Sequence, residues 1–252
     1  MNSMLIYPAG HTKACSYASD ILKASGIQSV DHPAPEITHL LLDVPSLDIH
    51  GNLRDGSSLE RLLEQLPPTV TVIGGNLQHP LLAGYRILDL LQDAEYLAEN
   101  AAITAECALQ TAMPQMNRTL RDSSVLILGW GRIGKCLGQI LNAIGATVII
   151  AVRKHSDRAM IRALGMQAVD YAEAPAMLPQ IHLLFNTVPQ PTLSTTDLNR
   201  NRNCLKIELA SSNGLNADGV VTARGLPGLC APESSGRLIA KRIIAHYRED
   251  LL

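Results

Sequence analysis

The stretch VLILGWGRIGKCLGQILNAIGATVIIAVRKHS, residues Val125 to Ser156, decides how this chain folds. Val125 to Leu128 is a short, wholly apolar run, as in a strand buried on both faces of a parallel sheet. Gly129-Trp130-Gly131-Arg132-Ile133-Gly134 follows, a GxGxxG. A helical pattern comes next, with Ile133, Leu137, Ile140, Leu141 and Ile144 on one face, and Gly145 stands where a C′ glycine would stop it. Thr147 to Val152 is β-branched and reads as the next strand. Strand, glycine loop, helix and strand make the first half of a dinucleotide-binding unit.

The chemistry needs these residue types. Gly129 permits a tight turn off the strand. Gly131 lets the backbone approach a pyrophosphate. Gly134 lets helix and strand pack closely. The free N–H groups and positive dipole end at Gly131 to Gly134 suit an anion, so Gly129, Trp130, Gly131, Arg132, Ile133 and Gly134 are cofactor-binding candidates. An NAD-specific chain usually carries Asp or Glu after the second strand, to bond the ribose 2′-OH. Here Arg153-Lys154-His155-Ser156 stands there. Arg153 and Lys154 can pair with a 2′-phosphate, and Ser156 can bond it while capping a helix from Asp157. That pattern points to NADP(H); the plainer alternative is a solvated basic loop.

The rest of the chain alternates in the same way. Strands are expected at Met4 to Tyr7, Ser29 to His32, Thr38 to Val44, Thr69 to Ile73 and Tyr85 to Leu91, with helices at His11 to Ser25 and from Ser57 or Ser58 to Leu66. A short turn at Ala94 to Ala98 and a helix capped by Thr104 should lead to the central strand. Beyond Ser156, strands are expected at Gln167 to Val169, His182 to Thr187, Cys204 to Leu209 and Val220 to Ala223. Gly225 to Pro232 reads as a rigid loop. A long amphipathic helix from Pro232 carries Leu238, Ile239, Ile243 and Tyr247 on one stripe. The expected fold is α/β in two domains: a small parallel α/β N-terminal domain, residues 1–100, and a doubly wound Rossmann-type NADP-binding domain, residues 101–232. The C-terminal helix, residues 233–252, should pack back on the first.

Composition narrows the function classes. A net charge of −2 gives no reason to expect a nucleic-acid partner. No apolar run is long enough for a membrane span. Five widely spaced cysteines form neither a CxxC nor a Cys/His metal pattern, so free thiols in a reducing cytoplasm and no metal are expected.

Five blocks in one order resemble the dipicolinate synthase A family. They are Asn100…Thr104-Ala105-Glu106, Leu128-Gly129-Trp130-Gly131-Arg132, Asn186-Thr187-Val188-Pro189, Leu209-Ala210-Ser211, and Gly225-Leu226-Pro227-Gly228…Ala231-Pro232…Gly236. The resemblance implies a sporulation enzyme that oxidises dihydrodipicolinate to dipicolinate by hydride transfer to NADP⁺. It also implies a partner, a flavoprotein-like B subunit. A more distant likeness is to 2-hydroxy-acid dehydrogenases, which carry a catalytic His after a similar Pro where this chain has Glu233.

Loops at the C-terminal strand ends face the nicotinamide in such folds. Asn186, Thr187, Val188, Pro189 and Ala210 are therefore cofactor candidates. A dicarboxylate substrate, lying across the domain cleft, is expected near Asn76, Asn100, Ser211, Ser212, Gly228, Ser234, Ser235 and Arg237. Ser234 and Ser235 read equally well as helix caps, and Arg237 reads somewhat better as a solvated charge. Glu233 could accept the ring proton as hydride leaves, with Ser211 the other catalytic candidate; a plain first-turn carboxylate is the simpler reading of Glu233. Two other functions fit the same residues: another dehydrogenase of hydroxy or keto acids, and a non-catalytic nucleotide-binding protein whose partner carries the chemistry. A homo-oligomer is expected.

Overall fold

The structure, a computed structural model, describes residues 4–48 and 50–249. The chain divides into two compact units, one of residues 1–100 and 227–252, the other of residues 101–226.

The first unit opens with β1 (Leu5–Pro8), α1 (Lys13–Ala24), β2 (Gln28–Ser29) and β3 (His39–Leu41). α2 (Leu59–Leu63), β4 (Thr71–Gly74) and β5 (Arg86–Asp89) follow. The five strands are all parallel, in the order β2-β1-β3-β4-β5. Leu40, Leu42, Val70 and Val72 are fully buried at its centre. α1 is capped by Thr12, whose hydroxyl accepts the Cys15 N–H, and α2 by Ser58.

α3 (Ala94–Ala112) is one continuous helix, not the short turn and second helix expected. Thr104 sits buried mid-helix, ten residues past the helix's first residue. Asp93 does the capping, accepting the Glu95 and Tyr96 N–H groups.

The second unit holds β6 (Ser124–Leu128), α4 (Arg132–Ile144), β7 (Thr147–Ala151), α5 (His155–Ala163), β8 (Gln167–Val169) and α6 (Ala174–Met177). β9 (Leu183–Asn186), α7 (Thr195–Leu198), β10 (Leu205–Glu208) and β11 (Val220–Thr222) complete it, and α8 (Leu226–Cys230) follows, all but its first residue belonging to the first unit. The second unit's six parallel strands run β11-β10-β9-β6-β7-β8. Counted from β6, that is the doubly wound dinucleotide-binding order, with its reversal between β6 and β9. Val125 to Leu128 have no exposure at all, as expected of a strand covered on both faces. α4 ends at Gly145 in the left-handed conformation, φ 92°. Residues 226–230 form the short α8 where a rigid loop was expected; the turn is confined to Gly225, with φ 66°, just before it.

α9 (Pro232–Glu249) closes the chain and packs along α1 in the first unit. Leu238, Ile239 and Ile243 on its inner stripe are buried. Gly236 makes the close approach possible: a Cβ there would lie 2.5 Å from the Tyr17 Cβ and 2.6 Å from the Ala14 carbonyl oxygen. Among the described residues no helix is long and apolar enough to cross a membrane.

Candidate functional site

The glycine loop sits at the point where the strand order reverses, between the ends of β6 and β9. Gly129 has φ 102°, and a Cβ on it would meet the Thr187 hydroxyl at 2.6 Å and the Val188 Cγ2 at 2.8 Å. Only glycine allows both that turn and that contact. Gly134 lies against the Gly129 carbonyl, 2.4 Å from a built Cβ. Gly131 differs: it caps α4, and no atom of the protein lies within 4 Å of a Cβ built on it. No side chain caps α4, and its first turn carries no acidic residue. The first N–H groups of a long helix are thus offered to an anion.

Around this loop opens a groove of about 480 Å³, a volume suited to a small-molecule ligand. Gly129, Trp130 and Gly131 form one side of it, Val152, Arg153, Lys154 and Asp157 another, and Thr187 to Thr192 a third, with Tyr171 between. Trp130 lies over Gly138, where a Cβ would come within 3.2 Å of its ring. Arg132 is exposed at the first position of α4, and neither it nor Ile133 lines the groove.

The basic pair at the end of β7 is exposed and faces the groove. Its backbone is fixed by Arg158, a buried residue that the sequence did not single out. Arg158 Nη1 donates to the Val152 and Arg153 carbonyls, both at 2.9 Å, and to Asp170 at 2.7 Å. Burial raises the Tyr171 phenol above its ordinary value, while the Arg153 charge pulls it down. Asp157 contributes a carboxylate to the same lining. Ser156 does not cap α5: the helix begins at His155 with Lys154 as N-cap, which leaves Ser156 exposed in the first turn and off the groove.

On the β9 side, Thr187 donates its hydroxyl to the Leu128 carbonyl at 2.7 Å. Val188 and Pro189 line the groove, but Asn186 does not; it is fully buried with its amide engaged inside the protein. Ala210 is also buried, its N–H donated to Glu208. Ser211 is exposed, and Ser212 donates its hydroxyl to the Pro189 carbonyl. The hydroxyl of Thr192, on the groove wall, is buried and has no partner within the protein. An uncapped helix start, an open side at Gly131, two exposed cations and an orphaned hydroxyl together fit a dinucleotide.

The other sequence-derived candidates lie in the first unit. Asn76 follows β4 and is the one non-glycine residue with positive φ (62°) among those described. Its N–H, like that of Leu77, is held by Asp89. Gly74 and Gly75 are there for packing, since a Cβ on Gly74 would meet the Ser46 hydroxyl at 2.2 Å and one on Gly75 the Val44 Cγ1 at 2.7 Å. Asn100 lies in α3 and Gly228 in α8. Ser234 and Ser235 fall within the first turn of α9 and are not caps; Ser234 is exposed and Ser235 buried. Glu233 and Arg237 pair with each other at 2.7 Å, both exposed. Among the described residues no three His, Cys, Asp or Glu side chains are grouped to hold a metal ion.

Fold and groove together define a Rossmann-type nucleotide-binding domain. Residues 87–203 match the family of the D-isomer specific 2-hydroxyacid dehydrogenase, NAD binding domain, whose cofactor is a nicotinamide dinucleotide.

Among individual proteins, the chain resembles the A component of dipicolinate synthase. It is 27% identical to that protein of Bacillus subtilis (strain 168) over 164 residues, 62% of this chain and 55% of the relative. The match thus spans about half the relative's length. The crystal structure of the same component from Bacillus halodurans superposes with a TM-score of 0.82 at 20% identity, covering 97% of each chain. Its Bacillus subtilis counterpart gives 0.79 at 21% identity, covering 99% of this chain and 100% of that one. The two superpositions establish the fold.

Proposed function

We propose that this chain is the NADP-dependent component of an oxidoreductase that oxidises dihydrodipicolinate to dipicolinate, together with a second subunit. The observation that carries the reading is the pair Arg153 and Lys154 on the groove beside the glycine loop, in a chain that resembles dipicolinate synthase A. A 2′-phosphate there would meet two cations, where an NAD-specific domain would present a carboxylate.

In this reading the bound NADP⁺ supplies the hydride acceptor. The substrate ring loses one hydride and one proton, and the gain of aromaticity drives the reaction. The uncapped start of α4 holds the pyrophosphate, and Thr187 to Thr192 wall the nicotinamide end. Glu233 is the proposed acceptor of the ring proton, and Ser211 a donor to the substrate. Asn76, Asn100, Ser212, Gly228, Ser234, Ser235 and Arg237 are the proposed substrate-side groups. Removing a C–H as hydride calls for positioning more than for an unusual nucleophile.

The test is the appearance of the reduced-nicotinamide absorbance band when the chain is mixed with NADP⁺ and freshly generated dihydrodipicolinate. It is run with and without the second subunit of a dipicolinate synthase. NADPH formation in either mixture is expected; its absence from both sinks the reading.

A further inference from the structure

Glu208 is the last residue of β10 and is only 1% exposed. Its carboxylate accepts five hydrogen bonds. Oε1 takes the Ala210 N–H at 3.0 Å and the Asn186 Nδ2 at 2.8 Å. Oε2 takes the Gly214 and Leu215 N–H groups, both at 2.8 Å, and the same Nδ2 at 3.0 Å. Asn186 is its register partner on β9. Every contact needs an acceptor, which a carboxylate provides on both oxygens and an amide on one only. A buried carboxylate is costly unless it is satisfied in this way.

The chain of bonds continues to the groove. The Asn186 amide donates to the Val188 carbonyl at 2.9 Å and accepts the Val188 N–H at 3.1 Å. Both backbone groups of a groove-lining residue are thus held by one side chain, itself held by Glu208. Gly214 closes the knot: a Cβ there would lie 2.3 Å from the Asn186 Nδ2, 2.7 Å from the Val188 carbonyl and 2.9 Å from that of Gln190.

With phosphate at the start of α4 and the 2′ side of the dinucleotide at the end of β7, the nicotinamide half falls on the β9 side of the reversal. We propose that Glu208 is a positioning residue for that half: through Asn186 it sets the backbone of Thr187 to Gln190 that walls the nicotinamide. The assignment rests on the dinucleotide reading above. It lies outside the family match, which ends at residue 203.

The experiment titrates wild type and Glu208→Gln with NADPH and with 2′-phospho-ADP-ribose, which lacks the nicotinamide, following Trp130 emission. Emission of the bound nicotinamide itself is recorded as a second signal. The variant is expected to lose roughly tenfold or more in NADPH affinity, as for lost positioning hydrogen bonds, and to shift the nicotinamide emission. Its affinity for 2′-phospho-ADP-ribose should stay within about twofold. Should Glu208→Gln fail to fold, Asn186→Ala serves, because it leaves the carboxylate its three backbone donors and frees only Val188; the same selective loss is expected. If wild type binds both ligands and the folded variant loses both equally, or neither, the positioning role is overturned while the dinucleotide reading stands. A wild type that binds neither ligand overturns that reading, and the assignment with it.

Discussion

The Asp93 carboxylate receives the Arg242 Nε–H at 2.6 Å, across 149 residues of chain. The pair is largely shielded, at 17% and 11% side-chain exposure. Asp93 also caps α3, and Arg242 makes a second ion pair with Glu95 in the first turn of that helix. One guanidinium therefore fastens α9 to the start of α3. Burial opposes ionisation of Asp93, but the Arg242 hydrogen bond and the Tyr96 and Glu95 N–H groups outweigh it, so its carboxyl titrates below the usual range. Arg242→Met should cost about 2–3 kcal/mol, because it strands a shielded carboxylate. Urea unfolding measures this, and a double-mutant cycle with Asp93→Asn isolates the pair. A loss under about 0.5 kcal/mol would show the pair to be no better than a surface one.

Glycine to alanine within a helix normally stabilises by about 0.5–1 kcal/mol. At Gly236 the sign should reverse. The Ala14 carbonyl, the Tyr17 Cβ and the Ala18 nitrogen would all lie within 3 Å of the new methyl group, so α1 and α9 would have to part. Gly236→Ala should lower the melting temperature, and Gly236→Val should lower it further, by about 1–3 kcal/mol of overpacking. A rise for Gly236→Ala would refute the close packing.

Two glycines of the loop should separate folding from binding. Gly131→Ala meets no protein atom and keeps an ordinary φ of −76°, so stability should change by less than about 0.5 kcal/mol. Dinucleotide affinity should still drop roughly tenfold, since the methyl group enters the groove where phosphate must come close. Gly134→Ala should instead destabilise, by collision with the Gly129 carbonyl. Calorimetric titration beside thermal melting reads both; unchanged affinity in Gly131→Ala would remove the phosphate from this loop.

The 2′-phosphate reading predicts that NADPH quenches Trp130 at lower concentration than NADH does. Arg153→Gln should weaken NADPH by roughly tenfold or more, as for loss of a charged hydrogen bond, and leave NADH nearly unchanged. Equal affinities in the wild type would count against the basic pair.

His39 links stability to pH. Burial, aided by the Arg86 charge, lowers its pKa from 6.5 to about 4. Its Nδ1 lies 2.7 Å from the Thr38 hydroxyl, and its ring meets Tyr247 edge-on at 4.9 Å. The folded state thus binds fewer protons than the unfolded state between these values. His39 contributes its stability fully above pH 6.5 and loses it as pH falls towards 4. Melting temperatures across that window should decline less steeply in His39→Gln. Parallel slopes would assign the decline to other groups.

How much was legible follows from how local each signal is. Ser58 and Gly145 act within a few residues of themselves, and each stands where its cap requires. The break expected at residues 99–103 is absent for the opposite reason. Asn100 and Thr104 are weak helix formers, yet α3 runs through them with its start fixed by Arg242 from the far end of the chain. Ser156 lies one residue inside a helix that starts at His155, a displacement that local propensity does not resolve.

The amino-acid order alone determined the alternation of strands and helices, the glycine loop and the cations that follow the second strand, because periodicity and turn chemistry act over single turns. Only the tertiary structure decided which groups face the groove. Asn186 stands in a strand-end motif that reads as ligand-facing, but parallel pairing of β9 with β10 sets it beside Glu208 and turns its amide inward. Glu208 carries no local signature at all. Its role exists because one buried carboxylate satisfies both the N–H groups of the loop that follows its own strand and the Asn186 side chain, which only the sheet brings beside it.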